Sequence, residues 1–245
     1  MNGIRSAATP SLVLVAHGTR NPRGVEMIAT LAEAVGAEVG PTRVAFVDVL
    51  GPSPAEVLRE LEGPAVVVPA FLASGYHVHT DVPREVAASE HPCTTVTPAL
   101  GPDRVFARVM VDRLLAAGWR PGDAIVFAAA GSSDRRALAE HRRAALMVAE
   151  LTDVPVRIGY VATASPTVPD AVATLRSYGH QRVFVASYLL ARGLFHDRLS
   201  DAGSDGVADP LGLHQGIVDL VVDRFRSGSA ELAARSNDYS RGSVR

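Results

Sequence analysis

The chain has 245 residues, 47% of them hydrophobic and 20% charged, and a formal net charge of −2. That balance suits a globular protein with a sizeable core and argues against an electrostatic nucleic-acid binder, since no basic run offsets the acidic sum. A single cysteine, Cys93, excludes an internal disulfide and a cysteine metal cluster. No apolar run approaches membrane-spanning length, and Met1 to Pro10 lacks the apolar core of a secretion signal. The expectation is a cytoplasmic protein with neither membrane nor nucleic acid among its partners.

Met1 to Ser11 reads as a loose arm. Leu12 to Ala16 is a continuous apolar run, hence a buried strand, and it ends at His17-Gly18-Thr19-Arg20. Apolar positions Val25, Ile28, Leu31, Ala32 and Val35 recur at helical spacing. Arg43 to Val47 is the next strand, with Asp48 at its end, and Pro54 opens a helix carrying Val57, Leu58 and Leu61. Ala65 to Val68 is a third strand. It runs into Pro69-Ala70-Phe71-Leu72-Ala73-Ser74-Gly75-Tyr76-His77-Val78-His79-Thr80-Asp81-Val82-Pro83, where Pro83 starts another helix. A short strand at Thr94 to Val96 and a helix over Asp103 to Ala117 follow. Strands alternating with helices at this pitch predict a parallel sheet covered on both faces.

The pattern then repeats. Ala124 to Ala130 leads to Gly131-Ser132-Ser133 and a helix from Asp134. Arg157 to Val161 leads to Ala164-Ser165-Pro166, as Val44 to Val47 leads to Gly51-Pro52. Arg182 to Ala186 leads to Tyr188-Leu189-Leu190-Ala191-Arg192-Gly193, as Val66 to Val68 leads to Ala70-Phe71-Leu72-Ala73-Ser74-Gly75. The shift is nearly constant, with Gly18 matching Gly131 and Gly101 matching Gly212. The prediction is an α/β fold of two tandem similar domains, each a parallel sheet flanked by helices, with a cleft between them. Residues 1–118 form the first domain and 119–228 the second. The polar, small-residue stretch 229–245 reads as a disordered tail.

The duplication acts as an internal control. His17 faces Ala130, Asp48 faces Ala162 and His77 faces Phe195, so three polar side chains at strand ends are apolar in the second copy. One active site follows, built by the first half, with the second half as its opposite wall. Two imidazoles and a carboxylate suit a borderline divalent metal such as Co²⁺, Fe²⁺, Ni²⁺ or Zn²⁺, and equally suit general acid–base work. In an extended segment His79 projects to the same side as His77, either as a secondary metal contact or as a solvent-facing loop residue. His91, His141, His180 and His214 have no partner in the pattern and read as surface residues. Arg20, Arg23 and Arg84 flank the two loops, and Arg192 sits in the matching loop of the second half. As a set they point to an acidic substrate.

The His17 loop and the long loop from Pro69 to Pro83 resemble the sirohydrochlorin chelatases, the class II chelatases typified by CbiX and SirB. Those enzymes carry a His-Gly-Ser/Thr-Arg loop and a Phe-Leu-x-x-Gly-x-His-x-x-x-Asp-Ile-Pro loop. The likeness covers nearly the whole chain, because the long members are two fused similar domains. It implies that His17 and His77 handle the metal and take up the protons it displaces, with Asp48 completing the site where the family usually has glutamate. It also implies that Ser74, Gly75 and Tyr76, with Arg20, Arg23, Arg84 and Arg192, contact the substrate. The implied activity is insertion of Co²⁺ or Fe²⁺ into a sirohydrochlorin-type tetrapyrrole, for cobalamin or sirohaem synthesis, and the duplication suggests that a monomer can form the cleft. No organic cofactor is expected, and neither a P-loop nor a Gly-x-Gly-x-x-Gly fingerprint is present. Two other readings compete: a metal or tetrapyrrole carrier that uses the same cleft, and a phosphate-processing hydrolase using His17 beside Arg20.

Overall fold

The structure is a computed structural model that describes the backbone of residues 9–242 and the side chains of residues 9–235. Most of the arm expected over Met1 to Ser11 lies outside the described residues, and Ser11 already opens the first strand. In the first half, β1 (Ser11–Ala16), β2 (Thr42–Phe46), β3 (Ala65–Pro69) and β4 (Thr94–Val96) alternate with α1 (Pro22–Val39), α2 (Pro54–Arg59), α3 (Val82–Ser89) and α4 (Arg104–Ala116). In the second half, β5 (Ala124–Ala129), β6 (Val156–Tyr160), β7 (Val183–Tyr188) and β8 (Gly206–Val207) alternate with α5 (Arg135–Thr152), α6 (Val168–Ser177), α7 (Leu194–Asp197) and α8 (Gln215–Gly242). Strand order is β2-β1-β3-β4 in one sheet and β6-β5-β7-β8 in the other, and every pairing is parallel. The predicted α/β class and the two tandem parallel sheets are therefore present.

The repeat extends to caps and turns. The side chains of Asn21 and Asp134 cap α1 and α5, each 18 residues long. Ser53 with Glu56, and Thr167 with Asp170, close capping boxes on α2 and α6. Gly18 and Gly131 both have positive φ, and a Cβ there would lie 2.1 Å from the carbonyl oxygen of Asp48 and 1.8 Å from that of Ala162, respectively. Only glycine fits either turn.

The two halves are not independent units. Alternate residues of β1 and β3 (Leu12, Leu14, Val66, Val68) face one core shared with Ile125, Phe127, Phe184 and Ala186 of the second sheet. The other faces are covered separately: Val57, Leu58 and Val82 pack on the first sheet, and Ala171, Val172 and Leu199 on the second. The last helices are exchanged. α4 of the first half packs on β7 and α5, while α8 of the second half packs on α1, β3 and β4. Gly228 permits the latter approach, since a Cβ there would lie 2.6 Å from Val66 Cγ1.

That exchange replaces the expected disordered tail with helix over 229–242, while residues 243–245 of that stretch lie outside the described residues. α8 continues to Gly242, and Leu232 on it is buried. Ala, Glu, Leu and Arg in Ala230 to Arg235 are strong helix formers, Glu231 pairs with Arg235 one turn on, and the first sheet supplies the apolar surface for docking. Among the described residues, no helix is long and apolar enough to cross a membrane.

Candidate active site

In the order β2-β1-β3-β4 the chain leaves β1 for one neighbour and later returns to the other. Loops after β1 and β3 therefore part at a switch point, where open parallel sheets place their ligands. Val15 pairs with Pro69, so His17 and the long loop start from adjacent strand ends. The two imidazoles meet at the cleft, with ring centroids 4.4 Å apart and planes at 70°. His17 Nδ1 lies 3.2 Å from Gly18 O, and His77 Nδ1 lies 2.6 Å from Asp81 Oδ2. With Nδ1–H donating in each case, both Nε2 lone pairs are left for a ligand. Phe71 stacks beside His77 with centroids 6.2 Å apart, and Tyr76 meets it edge-on at 6.0 Å.

Asp81 is buried, and its other oxygen lies 3.0 Å from Arg84 Nη2. In the sequence it is one residue of the Pro69–Pro83 loop, two before the helix-opening Pro83. Its spacing of four from His77 was the available signal, because His77–Asp81 is a π-helical turn, a form frequent at functional sites, that brings the two side chains together. The same turn corrects the expectation for His79. In a helical turn, residues two apart point to different sides, so His79 is exposed and does not line the cleft with His77. It lies instead toward the second half, where it adds slightly to the lowering of the Asp134 pKa, an effect due mainly to hydrogen bonding from Arg136.

Asp48 does not join the histidines in lining the cleft. It is exposed, and its Oδ1 accepts from the Val49 N–H at 2.7 Å. The reason is local: the tight contact of Gly18 with the Asp48 carbonyl directs this residue's backbone, rather than its carboxylate, toward the His17 loop. Among the described residues, no group of three His, Cys, Asp or Glu side chains is arranged to hold a metal ion.

A cleft of about 550 Å³ opens between the halves, within the usual range for small-molecule sites. The first half lines it with His17, Gly18, Thr19, Phe71, Gly75, Tyr76 and His77, and the second with Ser132, Ser133, Ala137, His141, Tyr188 and Phe195. Phe195, at the place that matches His77, is 37% exposed and belongs to the cleft wall rather than the core. Tyr188 ties the walls together, its hydroxyl donating to Leu72 O at 2.8 Å. The Ser74 N–H donates to Glu140 on α5, so Ser74 serves as a strut and does not itself line the cleft.

The expected arginine rim is displaced. No described arginine lines the cleft. Arg23 and Arg192 instead line an adjoining pocket of about 230 Å³ with Arg113, and the two cavities share Met27 and Ala191. Arg192 pairs there with Asp209. Arg20 is exposed and lines neither cavity, and Arg84 is committed to Asp81 and Glu85.

His141 is the second residue the sequence reading missed. It is not on the surface: it is 6% exposed and lines the cleft from α5. The signal was its place in the helical stripe Ala137, His141, Ala144, Ala145 and Val148, all buried. Burial pulls its pKa down to about 4.

A family model described as CbiX matches residues 11–117 and again residues 124–228. Over 77 residues the chain is 38% identical to the sirohydrochlorin cobaltochelatase of Methanothermobacter thermautotrophicus, a stretch covering 29% of this chain and 54% of that protein. It is 28% identical over 91 residues to the sirohydrochlorin cobaltochelatase of Methanosarcina barkeri, covering 35% of this chain and 70% of that one. The chain thus spans about half the length of the first relative. SirB from Bacillus subtilis with Fe³⁺ has the same fold, with a TM-score of 0.79 at 20% identity over 92% of this chain and 98% of that one. SirB from Bacillus subtilis subspecies spizizenii in complex with cobalt gives a TM-score of 0.75 at 17% identity, over 91% and 96%. Two successive matches to one family model, one on each of two joined parallel sheets, make this chain a member of the CbiX family of sirohydrochlorin chelatases.

Proposed function

We propose that this chain inserts a divalent metal ion, Co²⁺ or Fe²⁺, into a sirohydrochlorin-type tetrapyrrole. The observation that carries this reading is the His17–His77 pair, 4.4 Å apart at neighbouring strand ends, with His77 held by a buried carboxylate. Imidazole oriented by a carboxylate through its other nitrogen is the usual arrangement of a metal-binding histidine. Family membership and the names of the two archaeal relatives support the substrate.

The chemistry follows from the two walls. His17 and His77 hold the metal substrate through Nε2 at the first-half wall, and the flat ring enters beside Phe71, Tyr76 and Phe195. Metal and ring exchange one M²⁺ for two pyrrole-type protons. Asp48 contributes at most through water, given where its carboxylate lies. The adjoining pocket, lined by Arg23, Arg113 and by Arg192 with its partner Asp209, supports a role in receiving the carboxylate arms. No organic cofactor takes part in this scheme, and one chain supplies both walls, so a monomer in the cytoplasm suffices.

The test is anaerobic incubation of the full chain with sirohydrochlorin and Co²⁺ or Fe²⁺, followed by the change in visible absorbance. Metallation above the spontaneous rate supports the reading. Binding of both ligands without acceleration identifies a carrier. The hydrolase reading is weaker, because Arg20, its intended anion partner for His17, lines neither cavity.

A further inference from the structure

His141 is a neutral, buried imidazole in a place where an apolar side chain would cost less. It sits between two tyrosines, its ring centroid 6.0 Å from that of Tyr160 and 6.1 Å from that of Tyr188. Its Nδ1 is buried and has no hydrogen-bond partner, and its small remaining exposure belongs to a residue that lines the cleft. Buried polar atoms are seldom left unpaired, so one that persists calls for a use.

Its position suggests that use, granted the chelatase reading on which this argument rests. An imidazole whose lone pair is bound to a metal cannot at the same moment take a proton. His17 and His77 are therefore poor acceptors while they hold the ion. As the metal approaches the ring from their side, it turns the nitrogen lone pairs toward itself. The N–H bonds it displaces are pushed to the opposite face, which is the second-half wall. Among the described residues of that wall, Ser132, Ser133 and Thr163 offer only hydroxyls. Tyr188 already donates its hydroxyl to Leu72 O, and burial raises its pKa, so it stays protonated. His141 is the one imidazole there. The wall is also fixed relative to the metal side by Ser74 bonding to Glu140, the residue next to His141.

We propose that His141 accepts the protons that the incoming metal displaces, on the face of the ring opposite His17 and His77. In each transfer a ring N–H bond breaks, its electron pair stays on the ring nitrogen and binds the metal, and the proton forms a new bond to the lone-pair nitrogen of the His141 imidazole. His141 then passes the proton to water and is free for the second transfer. Burial keeps the group unprotonated before each event, and its low pKa favours quick release. The ring nitrogens are acidic enough to give up their protons because the metal is already bound to them.

The test compares the full chain with His141→Phe and His141→Gln in the cobalt metallation assay, with thermal unfolding and Co²⁺ calorimetry on each. Phenylalanine keeps the ring shape and removes the unpaired nitrogen, and glutamine keeps polarity but cannot take a proton. The expected result is a fall in kcat of about 100-fold in both variants, the usual scale for loss of a positioned proton acceptor. KM for the tetrapyrrole and the Co²⁺ affinity should stay within twofold, with the melting temperature of His141→Phe unchanged or raised. A kcat within twofold of the parent overturns the proposal. So does a loss of Co²⁺ affinity that matches the loss of rate, since His141 would then act as a metal ligand. A parent chain with no metallation above the spontaneous rate overturns the chelatase reading itself, before the variants are compared.

Discussion

Asp81 Oδ2 lies 2.6 Å from Nδ1 of His77, four residues earlier, and the carboxylate is buried beneath the cleft. Its second oxygen binds Arg84, so the acid cannot turn away without losing an ion pair. The pairing fixes which nitrogen of His77 faces the ligand. Asp81→Asn keeps the size but replaces one of the two carboxylate oxygens that hold His77 and Arg84 with an amide that accepts no hydrogen bond. Co²⁺ affinity should fall by about 10- to 100-fold, the range for loss of such an outer partner. Calorimetry on the variant checks it, and an unchanged affinity would show that His77 binds no metal.

Gly18 and Gly131 make the same turn in the two halves, but only the first adjoins a cleft histidine. Gly18→Ala and Gly131→Ala each force a Cβ to within about 2 Å of a carbonyl oxygen at positive φ. Each should destabilise by more than about 1 kcal/mol, measured by thermal or denaturant unfolding. Metallation per folded molecule should drop in Gly18→Ala, which displaces His17, and stay near the parent value in Gly131→Ala. Equal activity losses would mean that the Gly131 turn positions groups the reaction needs as much as the Gly18 turn does.

His141 makes stability depend on pH. Its pKa is about 4 in the folded chain against 6.5 for an ordinary histidine. Between those values the unfolded chain binds the extra proton and the folded chain does not, so acid favours unfolding. The stabilisation is fully present above about pH 6.5 and is lost as pH falls to about 4, an effect on the order of 3 kcal/mol. Urea unfolding of parent and His141→Phe at pH 7 and pH 4.5 reads it directly. The gap between the two proteins should widen in favour of His141→Phe at the lower pH, and a constant gap would contradict the burial argument.

The exchanged helices predict that the chain cannot be cut at its internal boundary without loss. Residues 1–121 alone keep α4 but lose α8, which covers β3 and β4. Residues 122–245 alone lose α4 from β7 and α5. Neither fragment should melt cooperatively by circular dichroism, while an equimolar mixture should recover the transition. A monomeric 1–121 fragment with a melting temperature near that of the whole chain would show that the shared core is dispensable.

Much of this protein is legible in its order of residues, because the relevant signals are local. Apolar runs such as Leu12 to Ala16 and Val66 to Val68 mark strands, the helical stripe from Val25 to Val35 marks α1, and the matched glycines at 18 and 131 mark the duplication. The same local reading brought out His17 and His77, since each follows a strand and strand ends converge in a parallel sheet. What it could not reach depends on how separate elements pack. Asp48 follows a strand as well, yet the close approach of Gly18 aims its carbonyl, not its carboxylate, at the His17 loop. His141 looks like any polar residue on a long helix until α5 is laid against Tyr160 and Tyr188. The polar stretch after Ser227 reads as a tail until the first sheet offers it a face. Periodicity and turn chemistry act over a few residues and are written in the chain. Burial, and with it the chemistry of an imidazole or a carboxylate, is decided by partners on other elements, as Tyr160 and Tyr188 are for His141 and Gly18 is for Asp48, and only the tertiary structure brings these to the same place.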